Sequence, residues 1–298
     1  KESVSVPSAV SRPKGEVASP PRGRLAAVWP AGRWKTRRSV KVSGGPSISG
    51  CRRVGVVAKL DRRPALAAKL VSLGLRREAK QIHSVDELQH RLEPYLDQLI
   101  ERSTLSVTYS GLEQLDKTQP HLFLANHRDI VMDPAFVNYA LYHAGHPTPR
   151  IAIGDNLLQR PFVADLMRLN KSFIVHRSLT GRREKLQAYQ TLSAYINHSI
   201  AEGHSIWIAQ AEGRAKDGKD QTDSAIIKML CMSRKDEPFD EVIHSLSVVP
   251  VSIAYEWDPC DQMKAHELAE KGLKGSYTKA PGEDDRSIAM GLTGYKGR

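Results

Sequence analysis

The chain has 298 residues and a mass of 33.1 kDa, with 44 Lys and Arg against 33 Asp and Glu and a formal net charge of +11. This length suits one large or two small domains that do not need disulfides. The three cysteines form no CxxC metal pair and favour a reducing compartment. No stretch reaches the roughly 18 apolar residues of a bilayer span, so we expect no membrane-spanning helix in this sequence.

Most of the charge lies at the start of the chain. The first 50 residues hold ten Lys or Arg and two acidic residues, a net charge of +8, together with six Pro, six Gly and nine Ser. A segment of this composition buries too little apolar surface to offset its ordering entropy, so residues 1–55 are predicted to be a disordered basic tail. A transit peptide is a second interpretation. The chain begins with Lys1, which leaves open a start further upstream.

Residues 56–103 are predicted to be an N-terminal helical segment. Near 59–75, basic residues mix with leucines at helical spacing. This pattern predicts a basic helix that either lies on a membrane surface or packs against the domain. Ser84 followed by Glu87 is a capping box, which predicts a helix that extends to about Ser103.

Residues 104–298 alternate short β-rich runs with helical stretches, which predicts an α/β layer fold. The predicted strands are Leu105–Tyr109, His121–Ala125, Ile151–Gly154, Ser172–His176, Ser205–Ala209 and Leu246–Tyr255. Helices are predicted near 134–144, 182–202 and 222–232. Pro250 restricts the last strand to a sheet edge or a bulge. The final stretch, Gly291–Arg298, is turn-like, which leaves open a further C-terminal strand.

The segment Asn126–Pro134 directly follows a predicted buried strand, so His127 lies at a strand end, where α/β folds tend to carry their sites. Two carboxylates follow, Asp129 and Asp133. A carboxylate beside a histidine holds its tautomer and stabilises its charged form, which makes the other ring nitrogen a better base. Pro134 favours Asp133 as the partner, at the cap position of the next helix. A plain helix cap beside a surface histidine explains the same spacing, and Asp129 remains the alternative partner.

Two further strand ends carry polar residues. The strand that begins at Ser172 ends in Arg177, a residue type that meets phosphates or forms surface salt bridges. The strand 205–209 leads into a loop with Glu212, Gly213, Arg214 and Lys216. The glycine allows close approach of a ligand, and the two cations suit an anion. A solvated charged loop explains this pattern equally well.

Other enzyme classes fit the sequence poorly. His127-Arg128-Asp129 spells the kinase catalytic triplet, but position 134 is proline rather than the required asparagine, and no glycine-rich phosphate loop is present. The segment 203–207 begins like the serine-hydrolase GxSxG but has Trp207 at the second glycine. The histidines show no paired ligand spacing, so no metal site is predicted.

Taken in order, these segments resemble four sequence blocks of the glycerolipid acyltransferase family. The blocks are Asn126-His127 to Asp133, the strand Phe173–Arg177, Glu212-Gly213-Arg214, and Val248–Val251 with its Val-Pro pair. Two details depart from the family pattern. Five residues separate His127 from Asp133, where the family has four, and Arg214 directly follows Gly213, so either Arg214 or Lys216 takes the family's basic position.

The resemblance implies an α/β fold with a mixed central sheet flanked by helices. It also implies transfer of a fatty acyl group from acyl-CoA or acyl carrier protein to a glycerophosphate hydroxyl in phospholipid biosynthesis, with no metal or redox cofactor. His127 would be the general base and Asp133 its partner. Arg177, Arg214 and Lys216 would bind the phosphate of the acceptor, while Glu212 and Gly213 would shape their loop.

We expect 1-acylglycerol 3-phosphate as the acceptor, with glycerol 3-phosphate as the alternative. The implied partners are a phosphorylated glycerolipid acceptor, an acyl thioester donor and a membrane surface, with no specific nucleic acid. The expected location is the cytoplasmic face of a membrane, as a peripheral protein held by the basic helix near 59–75. A different class remains open, a non-catalytic protein that binds membranes or nucleic acid through residues 1–50 in a strongly salt-dependent way.

Overall fold

The computed structural model describes residues 81–158, Met167 and residues 170–298. The predicted tail 1–55 and the predicted basic helix near 59–75 lie outside these residues. The described strands are β1 Leu122–Ala125, β2 Arg150–Gly154, β3 Ser172–Val175, β4 Ile206–Ala209 and β5 Val248–Val251. The described α-helices are α1 Val85–Ser103, α2 Met132–His143, α3 Arg182–Ala201, α4 Ser224–Leu230, α5 Phe239–Ser245, α6 Asp261–Lys274 and α7 Glu283–Thr293.

The strands form one sheet in the order β3-β2-β4-β1-β5. The α/β class with a central sheet flanked by helices is confirmed. The sequence predicted a mixed sheet, whereas every described pairing is parallel. Parallel strands need long crossovers, and helices in the connections β1–β2, β3–β4 and β4–β5 supply them. The carboxyl ends of the strands therefore lie along one edge of the sheet, where ligands bind in open α/β folds.

The core consists of two apolar layers, one on each face of the sheet. On one face, Leu122 and Ile206 pack with Ile196 of α3 and Leu230 of α4. On the other face, Phe123 and Trp207 pack with Val137 and Leu141 of α2. Neighbouring residues of β1 and β4 thus point to opposite layers, as the two-residue period of a strand requires. Because both faces are covered, the sheet is a rigid platform for the loops at its edge.

Several predicted elements are confirmed. Helix α1 begins after Ser84, whose hydroxyl accepts a hydrogen bond from the Glu87 amide at 3.1 Å. The predicted helices near 134–144, 182–202 and 222–232 correspond to α2, α3 and α4. Pro250 is exposed on β5, which is an edge strand that pairs with β1. Its missing N–H therefore breaks no pairing on the outer side of the sheet.

The predicted strand Leu105–Tyr109 is wrong. Thr104 forms an isolated bridge with Gly297, but residues 105–109 carry no strand and Leu105 is 68% exposed. The alternation of apolar residues in this stretch is typical of a strand. A strand also needs the edge of a neighbouring strand with which to form backbone hydrogen bonds.

The helices α5, α6 and α7 were not predicted from the sequence. The terminal stretch, which the sequence indicated to be turn-like, contains the end of α7 and then pairs with two other segments. The Lys296 amide donates to the Ser103 carbonyl at 2.7 Å, and the Trp257 amide donates to the Lys296 carbonyl at 3.0 Å. The chain beyond α7 is therefore held between the end of α1 and the segment that precedes α6.

No helix in the described parts of residues 81–298 combines the length and the hydropathy that a bilayer crossing requires.

Helix α7 is packed closely against the turn that precedes α2. A Cβ added to Gly291 would collide with the carboxylate of Asp129, which is 2% exposed. We expect Gly291→Ala to lower the free energy of unfolding by about 1–3 kcal/mol, because overpacking at this rigid contact outweighs the gain in helix propensity. Urea denaturation of the full chain measures the change.

Gly272→Ala is the matched control for this substitution. Gly272 also lies inside a helix, α6, but nothing lies within 4 Å of an added Cβ. We expect this variant to gain about 0.5–1 kcal/mol of stability from helix propensity alone. Equal effects of the two substitutions would contradict the close contact between α7 and Asp129.

Candidate active site

The turn that follows β1 carries His127 and is tied to two neighbouring loops. The Asn126 side chain accepts a hydrogen bond from the Ile253 amide at 2.7 Å and donates to the Ile253 carbonyl at 2.9 Å. The His127 carbonyl accepts a hydrogen bond from the Ala215 amide at 2.8 Å. The backbone around His127 is therefore fixed both to the chain beyond β5 and to the loop beyond β4.

Asp133 is the carboxylate that contacts His127. Its Oδ2 lies 2.8 Å from His127 Nδ1 and accepts hydrogen bonds from the amides of Arg128 and Asp129 at 2.6 and 2.9 Å. Its Oδ1 accepts a hydrogen bond from the Tyr255 hydroxyl at 2.7 Å. The Asp133 side chain has 0% exposure. Because Asp133 Oδ2 already accepts two backbone amides, this geometry favours the tautomer in which His127 Nδ1 donates to it and Nε2 keeps its lone pair.

Asp129, the alternative partner, has a different role in the turn. Its Oδ1 accepts hydrogen bonds from the amides of Val131 and Met132 at 2.9 and 2.8 Å. Its Oδ2 is buried and has no hydrogen-bond partner among the described residues. Burial raises the pKa of Asp129 above its ordinary value, against the lowering effect of these backbone donors. Asp129 thus supports the start of α2 and does not bond His127.

The spacing of His127 and Asp133 is accommodated at the start of α2. The sequence predicted Asp133 at the cap position, but the helix begins at Met132 and its N-cap residue is Val131. Asp133 is therefore inside the first turn, followed by Pro134, where a missing backbone N–H is tolerated. With five residues between them, His127 Nδ1 and Asp133 Oδ2 still lie 2.8 Å apart.

His127 lies at the wall of a cleft at the carboxyl edge of the sheet. Its side chain is 14% exposed, and its ring meets the Trp207 ring edge-on, with centroids 5.9 Å apart and an interplanar angle of 73°. The cleft has a volume of about 170 Å³. Apolar side chains of the sheet and of α3 and α4 line much of it, including Ile151, Leu192, Ile208 and Met229.

The structure brings the other predicted site residues to this same cleft. Those that line it are Arg177, Glu212, Gly213, Arg214 and Lys216. Gly213 has a φ of +78°, a left-handed conformation that glycine adopts without strain. The loop beyond β4 thereby turns back towards His127, and its two cations line the cleft together with the apolar side chains of the sheet.

Neighbouring residues hold the backbone of Arg177 and the side chains of Arg214 and Lys216 in position. Asp155 Oδ1 accepts a hydrogen bond from the Arg177 amide at 3.2 Å. Arg214 Nη1 donates to Ser287 Oγ of α7 at 2.6 Å, and Lys216 Nζ lies 3.3 Å from Glu267 Oε1 of α6. Burial lowers the pKa of Lys216 below its ordinary value, although the charge of Glu267 acts in the opposite direction.

The sequence analysis missed several residues of the site, among them Tyr255, Lys279 and Asp284. Tyr255 bonds Asp133, and Lys279 and Asp284 line the cleft. Tyr255 follows the Val-Pro strand at the same sheet edge as His127, and this position could have indicated it. Lys279 and Asp284 lie in a charged stretch that has no strong periodicity. In the described residues, no group of His, Cys, Asp and Glu has the arrangement of a metal site.

Comparison with known proteins identifies the family. The Acyltransferase family model matches residues 106–254, half of the chain. This range contains β1 to β5, the His127–Asp133 pair and the cationic loop beyond β4. The chain belongs to the glycerolipid acyltransferase family, as its four sequence blocks predicted.

Curated relatives are longer than this chain. A dihydroxyacetone phosphate acyltransferase of Bos taurus is 25% identical over 209 residues, which are 65% of this chain and 29% of that protein. A glycerol-3-phosphate acyltransferase of Pseudoalteromonas translucida is 28% identical over 167 residues, 55% of this chain and 19% of that protein. The human dihydroxyacetone phosphate acyltransferase is 25% identical over 61% of this chain and 28% of its own length. The chain thus matches less than a third of each of these relatives.

The hydroxyl of Tyr255 is one of the donors that hold the buried Asp133 carboxylate. We expect Tyr255→Phe to lower the free energy of unfolding by about 1.5–3 kcal/mol, because it removes a hydrogen bond to a buried carboxylate. Chemical denaturation monitored by circular dichroism is the measurement.

Tyr277→Phe is the matched control. Its hydroxyl also donates to a carboxylate, that of Glu283, at 2.7 Å, but in a more solvated position. We expect a much smaller loss of stability there, since water replaces the lost partner. A loss at Tyr255 no greater than the loss at Tyr277 would show that the Tyr255 hydroxyl does not support Asp133.

Proposed function

We propose that this protein transfers a fatty acyl group from acyl-CoA or acyl carrier protein to the free hydroxyl of a phosphorylated glycerol acceptor. The observation that carries the proposal is the 2.8 Å contact between His127 Nδ1 and the buried carboxylate of Asp133, at the wall of a cleft that Arg177, Arg214 and Lys216 also line. Membership of the glycerolipid acyltransferase family supports the same chemistry.

In the proposed reaction, His127 acts as the general base. Its Nε2 takes the proton of the acceptor hydroxyl while that oxygen attacks the thioester carbonyl carbon. The tetrahedral intermediate then collapses, the C–S bond breaks, and the imidazolium returns its proton to the leaving thiolate. A positioned base contributes on the order of 10²–10⁴ in rate. Asp133 orients the ring and stabilises its charged form during the transfer.

The remaining cleft residues have binding roles in this proposal. Arg177 and Arg214, with Lys216 in support, bind the acceptor phosphate through charge-assisted hydrogen bonds. Backbone amides near Gly213 are the candidates for donors to the developing oxyanion, each worth roughly 10²–10³ in rate. Glu212 is exposed and shapes this loop rather than reacting. The apolar walls of the cleft suit an acyl chain.

For the acceptor, we propose 1-acylglycerol 3-phosphate first and glycerol 3-phosphate second. The apolar lining supports an acceptor that carries an acyl chain of its own. The relatives that are named glycerol-3-phosphate and dihydroxyacetone phosphate acyltransferases support a small phosphorylated acceptor. Release of the thiol from acyl-CoA in the presence of each acceptor distinguishes the two.

Replacement of His127 tests the proposed mechanism. We expect His127→Ala to lower thiol release and acyl transfer by about 10²–10⁴-fold, because the attacking hydroxyl loses its base. His204→Ala is the control, since His204 is an exposed residue that precedes β4 at the opposite edge of the sheet. The circular dichroism of both variants should match that of the unmodified chain. Retained turnover in His127→Ala would remove the proposed role of this histidine.

We further propose that the protein acts as a peripheral protein at the cytoplasmic face of a membrane. Acyl thioesters are cytoplasmic, the acceptors of this family are lipid precursors, and the sequence near 59–75 is basic and rich in leucine. We expect the full chain to co-sediment with vesicles of anionic phospholipid and to dissociate as the salt concentration rises. Protein that stays in the supernatant at low salt would contradict this placement.

A further inference from the structure

The C-terminal helices α6 and α7 lie outside residues 106–254, yet they supply side chains to the cleft and its cations. Ser287 of α7 bonds Arg214, and Glu267 of α6 pairs with Lys216. Lys279, between the two helices, and Asp284, in the first turn of α7, line the cleft themselves. One wall of the cleft, which contains Lys279 and Asp284, therefore comes from a segment outside the residues that the family model matches.

Asp284 is an anion among the cations of this wall. Its Oδ1 lies 2.6 Å from Lys279 Nζ, and its Oδ2 accepts a hydrogen bond from Asn156 Nδ2 at 3.0 Å. Its side chain is 24% exposed. Burial raises the pKa of Asp284, but the hydrogen bond from Lys279 and the charges of Lys279 and Arg214 outweigh it and hold the pKa below its ordinary value. The carboxylate is therefore ionised at neutral pH.

The position of Asn156 brings Asp284 close to the proposed phosphate ligands. A Cβ added to Gly154 would collide with Asn156 Oδ1 and would lie 3.1 Å from Arg177 Nε, so these two side chains border the same point at the end of β2. Asp284 accepts a hydrogen bond from Asn156 and so lies next to this point. Its negative charge thus lies in the part of the cleft where Arg177 and Arg214 would meet an acceptor phosphate.

We propose that Asp284 is the internal counter-anion of the acceptor-phosphate subsite and determines how strongly that subsite binds phosphate monoesters. This inference rests on the proposed function. A bound phosphate brings a charge of about −1.5 to −2 at pH 7 and is repelled by an adjacent carboxylate. Lys279, which Asp284 engages in the free protein, is a further cation for the phosphate. The segment that contains α7 thereby sets the affinity for the acceptor phosphate by charge.

A purely structural role for Asp284 predicts a different outcome. Acidic residues in a first helical turn interact favourably with the helix dipole, and α7 has three of them, Glu283, Asp284 and Asp285. If Asp284 only stabilised α7, its neutralisation would loosen this wall and would leave phosphate affinity unchanged or weaker. The counter-anion role predicts tighter binding, so the sign of the change separates the two.

The test compares Asp284→Asn with Asp285→Asn in the full chain. Asn keeps the shape of the side chain and removes its charge, and Asp285 is the next residue in the same turn but is not among the residues that line the described cleft. Calorimetry with inorganic phosphate and with glycerol 3-phosphate gives the Kd of each variant. We expect Asp284→Asn to bind both ligands about three- to tenfold more tightly and Asp285→Asn to bind them within about twofold of the unmodified chain.

Two further variants and one kinetic measurement complete this test. Arg177→Ala should weaken phosphate binding, and Asp284→Ser, which also suits a first helical turn, should tighten it as Asp284→Asn does. With an acyl-CoA donor, Asp284→Asn should lower the KM for the phosphorylated acceptor and leave the KM for the donor unchanged. Thermal unfolding of each variant checks that the fold is retained.

The possible results separate this inference from the proposed function. Unchanged or weaker phosphate binding in the Asp284 variants, equal tightening in Asp285→Asn, or no phosphate binding by any form overturns the counter-anion role. If the Asp284 variants bind phosphate more tightly but the unmodified chain transfers no acyl group, the subsite stands and the proposed function fails. If acyl transfer occurs but the Asp284 variants bind phosphate no more tightly, only the inference about Asp284 fails.

Discussion

The arrangement of the site depends on one buried carboxylate. Asp133 has no exposed surface, and a carboxylate in that position is stable only when hydrogen bonds replace the lost water. Its four donors come from the turn beyond β1 and from Tyr255 beyond β5, while Asp133 itself is on α2. Satisfying this carboxylate therefore fixes the turn, the helix and the loop together. The orientation of the His127 ring follows from the fold, before any ligand binds.

The site is shared between the family-matched sheet and the helices that follow it. Lys264 of α6 donates to the Arg128 carbonyl at 2.7 Å, and Gly291 of α7 allows the helix to approach Asp129. Loops at a sheet edge need such support, because the sheet fixes only their two ends. The same helices place Glu267 and Asp284 beside Lys216 and Lys279. They supply both mechanical support for the turn and counter-charges for the cleft.

Local patterns predicted the elements whose stability is local. The capping box Ser84–Glu87 identified α1, and the apolar runs before His127 and Glu212 identified β1 and β4, because the covered faces of a parallel sheet demand apolar side chains. The pattern at Leu105–Tyr109 gave a wrong prediction, because the alternation of apolar residues does not indicate whether a partner strand is available. Helices α6 and α7 escaped prediction because their apolar positions are few and none of their residues belongs to the two apolar layers of the sheet.

The sequence by itself determined the family and the α/β class. It also determined the set of strand-end residues that meet at one cleft, because the carboxyl ends of parallel strands lie at a common edge of the sheet. Only the tertiary structure decided that Asp133 rather than Asp129 bonds His127, that Tyr255 completes this network across 122 positions of the chain, and that Asp284 lies among the cations. A hydrogen bond requires its donor and acceptor atoms to lie about 3 Å apart, and the spacing of two residues along the chain does not determine that distance.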